Sequence, residues 1–453
     1  MYWVILILLL FVPLPYASVS PFWQWLWICY VGIVSLINLA GDRGKANRTV
    51  FALGKSPWVA LPLFSVISFF SLTAFQIVNS AYFLGMDTGL SSIDPIGNSL
   101  PASVDGFKTT FFLASYASHL MWFFLVFSWA NDPSRAFLVV RDIAIISVIY
   151  AIIGLYFYFF KGTDDFSRKV FIEQVGLSST FVNRNNFAVY VGVGLIATMA
   201  WFTNCLSINI WRPQGSFESK SKFIHVAGWF GMFLLLQIIS LFLTGSRAGI
   251  FVGFLAMTVF FLQIKPIWWR HKLRILPSVV LFFVGLAAYS GDLLWLRLSK
   301  VTFEESRFTL YPVLLESIED RPFWGFGLGT FENVMAQYRS VDIELNFVRA
   351  HNEYLELTIT AGLPIALLTF LGVLSLFFML LPAVKTIRIN RSAHFSFENG
   401  ILTALGIAAF VLIGVDALVD FPMQIPAISY ILVSIVSIGS AAALREAAKL
   451  RKK

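Results

Sequence analysis

The chain has 453 residues, of which 58% are hydrophobic and 13% charged, with a mean hydropathy of +0.78 and a formal charge of +8. Soluble domains carry roughly 25% charged residues, so the composition excludes a soluble enzyme, a disordered chain and a disulfide-stapled secreted module. The two cysteines, Cys29 and Cys205, each lie inside an apolar run, which argues against a disulfide framework or a metal cluster.

A helix needs about 20 apolar residues to cross the ~30 Å hydrocarbon core of a bilayer. Runs of that kind predict an all-α polytopic membrane protein with about 12 transmembrane helices. They fall at 2–19, 21–40, 58–81, 109–130, 140–160, 186–208, 227–245, 247–264, 275–291, 353–381, 399–416 and 427–443. The first opens at Met1-Tyr2-Trp3 with no basic stretch before it and reads as a retained helix, not a cleaved leader. Alternate connections (41–57, 131–142, 209–226, 265–274, 382–398 and the tail from Arg445) hold 21 Lys/Arg against 6 Asp/Glu. The positive-inside bias makes that set cytoplasmic and puts both termini inside. Lys265, Arg270, Lys272 and Arg274 form its densest patch. The net charge is therefore an orientation signal and no nucleic-acid footprint.

The connection at 292–352 is too long to be a simple turn. Phe331, Val334, Met335 and Tyr338 have the i, i+3, i+4, i+7 spacing of an amphipathic helix. A second helix is expected over Pro312–Ile318, with Leu314, Leu315 and Ile318 on one face and Pro312 in its first turn. The chain thus divides into helices 1–9 at 1–291, a large outer helical loop between helices 9 and 10 at 292–352, which caps the active site, and helices 10–12 with a basic tail at 353–453.

Four basic side chains gather on the outer side. Arg247 sits in Thr244-Gly245-Ser246-Arg247-Ala248-Gly249, between the seventh and eighth spans. Arg307 opens the large loop, Arg184 enters the sixth span, and His351 enters the tenth. Guanidinium forks match phosphate oxygens, helix N-termini add N–H donors, and a neutral imidazole beside them is a candidate general base. An arginine at a membrane-helix end is also a common interfacial anchor, and a histidine there a common boundary residue. His119, inside the fourth span, reads as packed. Gly325-Phe326-Gly327-Leu328-Gly329 lacks a preceding strand and a Walker lysine, so a tight turn is expected instead of a phosphate loop. Glu353 and Glu356 lack metal spacing and read as a solvated helix face, so no metal site is assigned.

At these residues the sequence resembles the O-antigen ligase and O-antigen polymerase superfamily of bacterial lipid-linked glycan transferases. Three stretches carry the likeness: Leu243-Thr244-Gly245-Ser246-Arg247-Ala248-Gly249, the glycine motif Pro322–Phe331, and Ala350-His351-Asn352-Glu353-Tyr354-Leu355-Glu356 followed by Ala361-Gly362-Leu363-Pro364. Thr180–Phe187 and Val419–Ala427 add weaker matches. The resemblance implies metal-independent, inverting transfer of a glycan from an undecaprenyl-diphosphate carrier on the periplasmic face of the bacterial inner membrane, with no cofactor. It implies that Arg247, Arg307 and Arg184 bind the diphosphate and that His351 orients or deprotonates the acceptor hydroxyl. Tyr311 stands where the pattern expects tryptophan, and Arg321, Arg339 and Arg349 are alternatives to Arg307.

The expected partners are the lipid-linked glycan donor, membrane lipid, and an acceptor that is lipid A-core for a ligase. A polymerase, which joins lipid-linked repeat units, and a protein O-oligosaccharyltransferase are the neighbouring alternatives. A lipid-linked glycan flippase is the reading from a different class. Most spans, however, lack the midplane charges that a transport path carries, which favours an enzyme.

Overall fold

A computed structural model describes residues 1–41, 57–80, 101–160, 176–211, 217–264, 305–338, 348–384 and 394–450. Among the described residues there are fourteen α-helices and no strand. In chain order they are α1 (Tyr2–Phe11), α2 (Pro21–Gly41), α3 (Pro57–Val78), α4 (Gly106–Trp129), α5 (Pro133–Phe159), α6 (Arg184–Trp211) and α7 (Phe217–Leu243). These are followed by α8 (Arg247–Gln263), α9 (Glu305–Asp320), α10 (Phe331–Tyr338), α11 (Glu353–Ala361), α12 (Leu363–Val384), α13 (His394–Asp416) and α14 (Pro426–Leu450). Eight of the described helices are long and apolar enough to cross a membrane, and three shorter apolar helices, Tyr2–Phe11, Ala227–Leu243 and Arg247–Gln263, fall where further spans were expected. The chain is an all-α polytopic membrane protein. The expected span at 275–291 and the basic patch at 265–274 lie outside the described residues.

Two expected spans take a different form. The run at 2–19 is helical only to Phe11, about 15 Å at 1.5 Å per residue. Pro13 and Pro15 cannot continue a helix, and a 3-10 turn over Tyr16–Ser18 follows, with φ of 52°, 55° and 59° at its three residues. The run at 353–381 is broken into α11 and α12 at Gly362, whose φ is +81°. The connection placed at 131–142 is also shorter than expected. Asp132 caps α5 by accepting from the Ser134 N–H at 2.8 Å, and Pro133 occupies the first turn.

The chain forms two compact units. The first comprises Met1–Ala60, Ser115–Ile264 and Leu374–Lys453. Its centre is α6, with α5, α7, α8 and α13 packed around it and α14 packed on α13. A helix apolar on every side belongs in such a position, and small residues let its neighbours come close. A Cβ on Gly192 of α6 would stand 3.3 Å from the Cα of Gly253 in α8. Several polar side chains in this unit pair with one another or with backbone. Arg141 reaches Asp142 at 2.8 Å and the Tyr2 hydroxyl at 2.9 Å. His119 is packed as expected: its ring lies 4.3 Å from that of Tyr430, with Nδ1 at 2.7 Å from the Ser115 carbonyl and Nε2 at 2.7 Å from the Ser429 hydroxyl. Neither Cys29 nor Cys205 is in a disulfide.

The second unit comprises Leu61–Ala114 and Lys265–Val373. Here α9, α10 and α11 enclose a core that includes Leu310, Leu314, Phe326, Phe331, Val334 and Ile359. The helix expected at 331–338 buries Phe331, Val334 and Met335. The helix expected at Pro312–Ile318 starts earlier, at Glu305, so Pro312 stands in its interior and not in its first turn. Leu315 is 53% exposed and is not on the buried face with Leu314. Burial of Leu310 and Leu314 offsets the proline's cost of about 3 kcal/mol.

Candidate active site

In the first unit, two arginines begin helices beside one turn. Thr244 and Gly245 reverse the chain after α7, with Gly245 at φ +61° and its N–H on the Phe242 carbonyl at 3.0 Å. Ser246 then caps α8, accepting the Gly249 N–H at 3.2 Å, and Arg247 is the first helical residue. The segment before α6 is laid along this turn. Leu177 N–H donates to the Leu243 carbonyl at 2.9 Å, the Thr180 hydroxyl to the Pro13 carbonyl at 2.6 Å, and the Ser179 hydroxyl to the Tyr150 carbonyl at 2.8 Å. Arg184, the first residue of α6, consequently folds over the turn, with Nη1 3.5 Å from the point where a Gly245 side chain would begin. The structure therefore brings Arg184 to the turn that carries Arg247. A cation in the first turn opposes the helix dipole and costs about 0.3–1 kcal/mol, whereas the same position attracts an anion. Among the described residues Arg247 makes no ion pair. Asp416 and Asp420, in the same unit, are both buried, and Asp420 accepts its neighbour Phe421's N–H at 3.0 Å.

In the second unit, Arg307 lies on α9 with its side chain outside the described residues, as is the whole of Arg339. Arg321 is half-buried with its guanidinium 4.9 Å over the Phe326 ring. Burial holds its pKa below the usual arginine value, against a smaller opposing effect of Tyr338. Tyr338 donates to Asp320 at 2.5 Å. Burial and that carboxylate push its phenol well above the usual tyrosine range.

His351 stands at the bend leading into α11, in the left-handed region at φ +48°. Such a conformation is uncommon for residues other than glycine and is held only where the surroundings impose it. Two bonds do so. Asn352 caps α11 by accepting the Leu355 N–H at 3.1 Å. Glu356, one turn into the helix, turns back so that its carboxylate accepts the Ala350 N–H at 2.9 Å and an Arg349 N–H at 3.2 Å. Glu356 is only 5% exposed, so the expectation of a solvated face fails for it. Its spacing satisfies a hydrogen-bonded loop before the helix in place of water. Arg349 is held also by the Phe112 ring at 5.4 Å.

The opposite end of α11 is closed by the glycine motif. The Phe326 N–H donates to the Ile359 carbonyl at 3.0 Å and the Gly327 N–H to the Thr360 carbonyl at 2.9 Å, while the Leu363 N–H donates to the Pro322 carbonyl at 2.8 Å. Carbonyls at a helix C-terminus lack partners inside the helix, and the motif supplies two of them. Gln76 of α3 adds to the closure, donating to the Trp324 carbonyl at 2.6 Å and the Thr360 carbonyl at 3.3 Å. A side chain on Gly325 would meet the Gly362 nitrogen at 2.5 Å, and one on Gly362 the Phe323 carbonyl oxygen at 2.3 Å. The motif is thus a turn, as expected, whose glycines permit backbone to lie on backbone.

Residues 232–371 match the family model described as O-antigen ligase. The matched segment, 140 of the 453 residues, is similar to the O-antigen ligase family. It contains Arg247, Arg307, the glycine motif, His351 and Glu356, whereas Arg184 and the Val419–Ala427 stretch lie outside it. No curated protein matches the chain. The O-antigen ligase family supports lipid-linked glycan transfer as the kind of function. Glu356 and Gln76 are the side chains that sequence reasoning missed. An acid in the first turn of a helix reads as a dipole complement, and nothing in the sequence near Gln76 points some 280 residues ahead to Thr360.

Proposed function

We propose that the chain is a membrane glycosyltransferase of the O-antigen ligase type, acting on the periplasmic face of the bacterial inner membrane with both termini in the cytoplasm. The donor is an undecaprenyl-diphosphate-linked glycan and the acceptor a hydroxyl of lipid A-core. The observation that carries the reading is His351, held in a left-handed conformation by a buried carboxylate and a helix cap inside the segment that matches the O-antigen ligase family. In the proposed step, His351 takes the acceptor hydroxyl's proton as that oxygen forms a bond to the anomeric carbon from the face opposite the leaving group. The bond from that carbon to the diphosphate breaks, and its electron pair leaves with the diphosphate. Arg247 and Arg307, with Arg184 as an auxiliary contact, stabilise the charge that develops there. The chemistry needs neither metal nor nucleotide, since the diphosphate already activates the donor.

The test incubates purified protein and His351→Ala with labelled undecaprenyl-diphosphate glycan, with and without lipid A-core, and separates the products by gel. A band shifted only when lipid A-core is present, lost on the order of a hundredfold or more in the variant, is the expected result. A ladder without added acceptor makes the chain a polymerase. Undiminished transfer by folded His351→Ala refutes the site.

A further inference from the structure

We propose that Glu356 is a positioning residue for His351, a role that rests on the reading of His351 as the group that meets the acceptor. The geometry resembles a capping box drawn out by three residues. In the ordinary form, an acid in the third helical position reaches back to the N–H of the capping residue. Here the cap is Asn352, and the acid in the fourth position reaches past it to the N–H of Ala350. His351 is thereby bracketed. One neighbour is fixed by its backbone bond to Glu356, and the other by its side-chain bond to Leu355. Spanning that gap bends the chain at His351, and its φ of +48° is the bend.

The carboxylate has a second task that a simple cap lacks. Its other oxygen takes an N–H of Arg349, so the same anion fixes the side chain two residues before the histidine. Only 24% of the Arg349 side chain is exposed, with one face toward Phe112, and the pair is largely withdrawn from water. A charged pair in such a place keeps its geometry better than an exposed one, because either partner released leaves a charge without its counterion. Glu356 therefore sets where the imidazole stands without touching the reacting atoms. A misplacement of 1 Å costs about a hundredfold in rate. The cost belongs to the chemical step, since donor binding is assigned to Arg247, Arg307 and Arg184, none of which Glu356 holds in its bonds to Ala350 and Arg349.

The test compares Glu356→Ala, Glu356→Gln and His351→Ala in the purified full-length protein, using the labelled undecaprenyl-diphosphate glycan and lipid A-core. Rates are taken over a range of donor concentrations. Glu356→Ala should lose about a hundredfold in kcat, with KM for the donor within about twofold of wild type. Glu356→Gln keeps an oxygen for the Ala350 N–H and should recover about tenfold of that loss, a rescue that bulk disruption of the fold does not give. Wild-type kcat in Glu356→Ala, or a loss that falls only on KM, overturns the proposal. If Glu356→Ala does not fold, Glu356→Gln decides: a kcat between wild type and His351→Ala supports positioning, and an unchanged one overturns it. Full activity of His351→Ala would defeat the underlying reading instead, and the two failures are told apart by that variant.

Discussion

Replacing Gly362 by alanine should open the junction between α11 and α12. The added methyl would stand 2.3 Å from the Phe323 carbonyl oxygen, 2.6 Å from its carbon and 2.9 Å from the Trp324 nitrogen, all of them backbone atoms with no rotamer to give way. At φ +81° and ψ 154° the backbone itself is nearly glycine-only, which costs about 1–3 kcal/mol for alanine. Relief of the clash must also part the Phe326–Ile359, Gly327–Thr360 and Leu363–Pro322 bonds, at about 1 kcal/mol each. The sum, about 4–6 kcal/mol, is a large share of the roughly 5–15 kcal/mol that holds a typical domain. Thermal melting of the purified protein should therefore fall, with protease sensitivity gained in the 321–330 turn and transfer reduced at least about tenfold. Gly231→Ala is the control. Nothing lies within 4 Å of a methyl there, and alanine in a helix interior is favoured by about 1 kcal/mol. If Gly362→Ala melted and transferred like Gly231→Ala, the reasoning about this junction would be refuted.

Gln76→Leu leaves the Trp324 and Thr360 carbonyls without the amide that reaches them. A loss of about 1–3 kcal/mol is expected, less than additive with Gly362→Ala because both loosen one turn; strict additivity of the two melting shifts would separate them. Arg247→Lys keeps the charge but not the guanidinium fork, so transfer should fall about tenfold while Arg247→Ala falls further, and equal rates for Lys and wild type would speak against a bidentate phosphate contact. Tyr338 has its pKa raised by burial and by Asp320 above the ordinary value of 10.0. Above that pH the unfolded chain releases a proton that the fold retains. The stabilisation is therefore complete below pH 10 and is lost as pH rises beyond it. Melting curves taken from pH 9 to 11 should show this decline in wild type and a shallower one in Tyr338→Phe; parallel slopes would contradict it.

Hydropathy made most of the helices legible, because a backbone in lipid must bond within itself and a long apolar run has little choice but helix. It misread the two places where local chemistry overrides apolarity. Pro13 and Pro15 end α1 well short of a crossing, and Gly362 divides a run that hydropathy joins. The site was legible as residue types. Arg184 and Arg247 fall at helix starts beside one turn, and His351 falls at the start of α11. What holds them was not legible, because the partners are remote or backbone: Gln76 and Thr360 are 284 residues apart, and the glycine motif acts through N–H groups that every sequence possesses.

These supports have a common logic in α11, a helix of only nine residues. An isolated helix of that length is not stable in water, so its geometry depends on what is done at its ends. The N-terminal donors are taken by Asn352, with Glu356 turned back on the preceding loop, and two C-terminal carbonyls are taken by the glycine motif. Between the ends, Ile359 is packed in the core with Leu314 and Phe326. A short element pinned at both ends and along one face moves as a body with its supports. Changes in the glycine motif, some 25 residues earlier in the chain, should accordingly reach His351 through the helix. That coupling predicts that Gly327→Ala, whose methyl would meet the Ser103 hydroxyl at 2.3 Å, lowers kcat for transfer even in preparations that remain folded. The Lys108→Met variant, which cuts only the partly exposed Lys108–Glu332 and Lys108–Asn333 contacts on the flank of α10, should leave kcat unchanged. Equal kcat values for the two variants would break the link between the motif and the histidine.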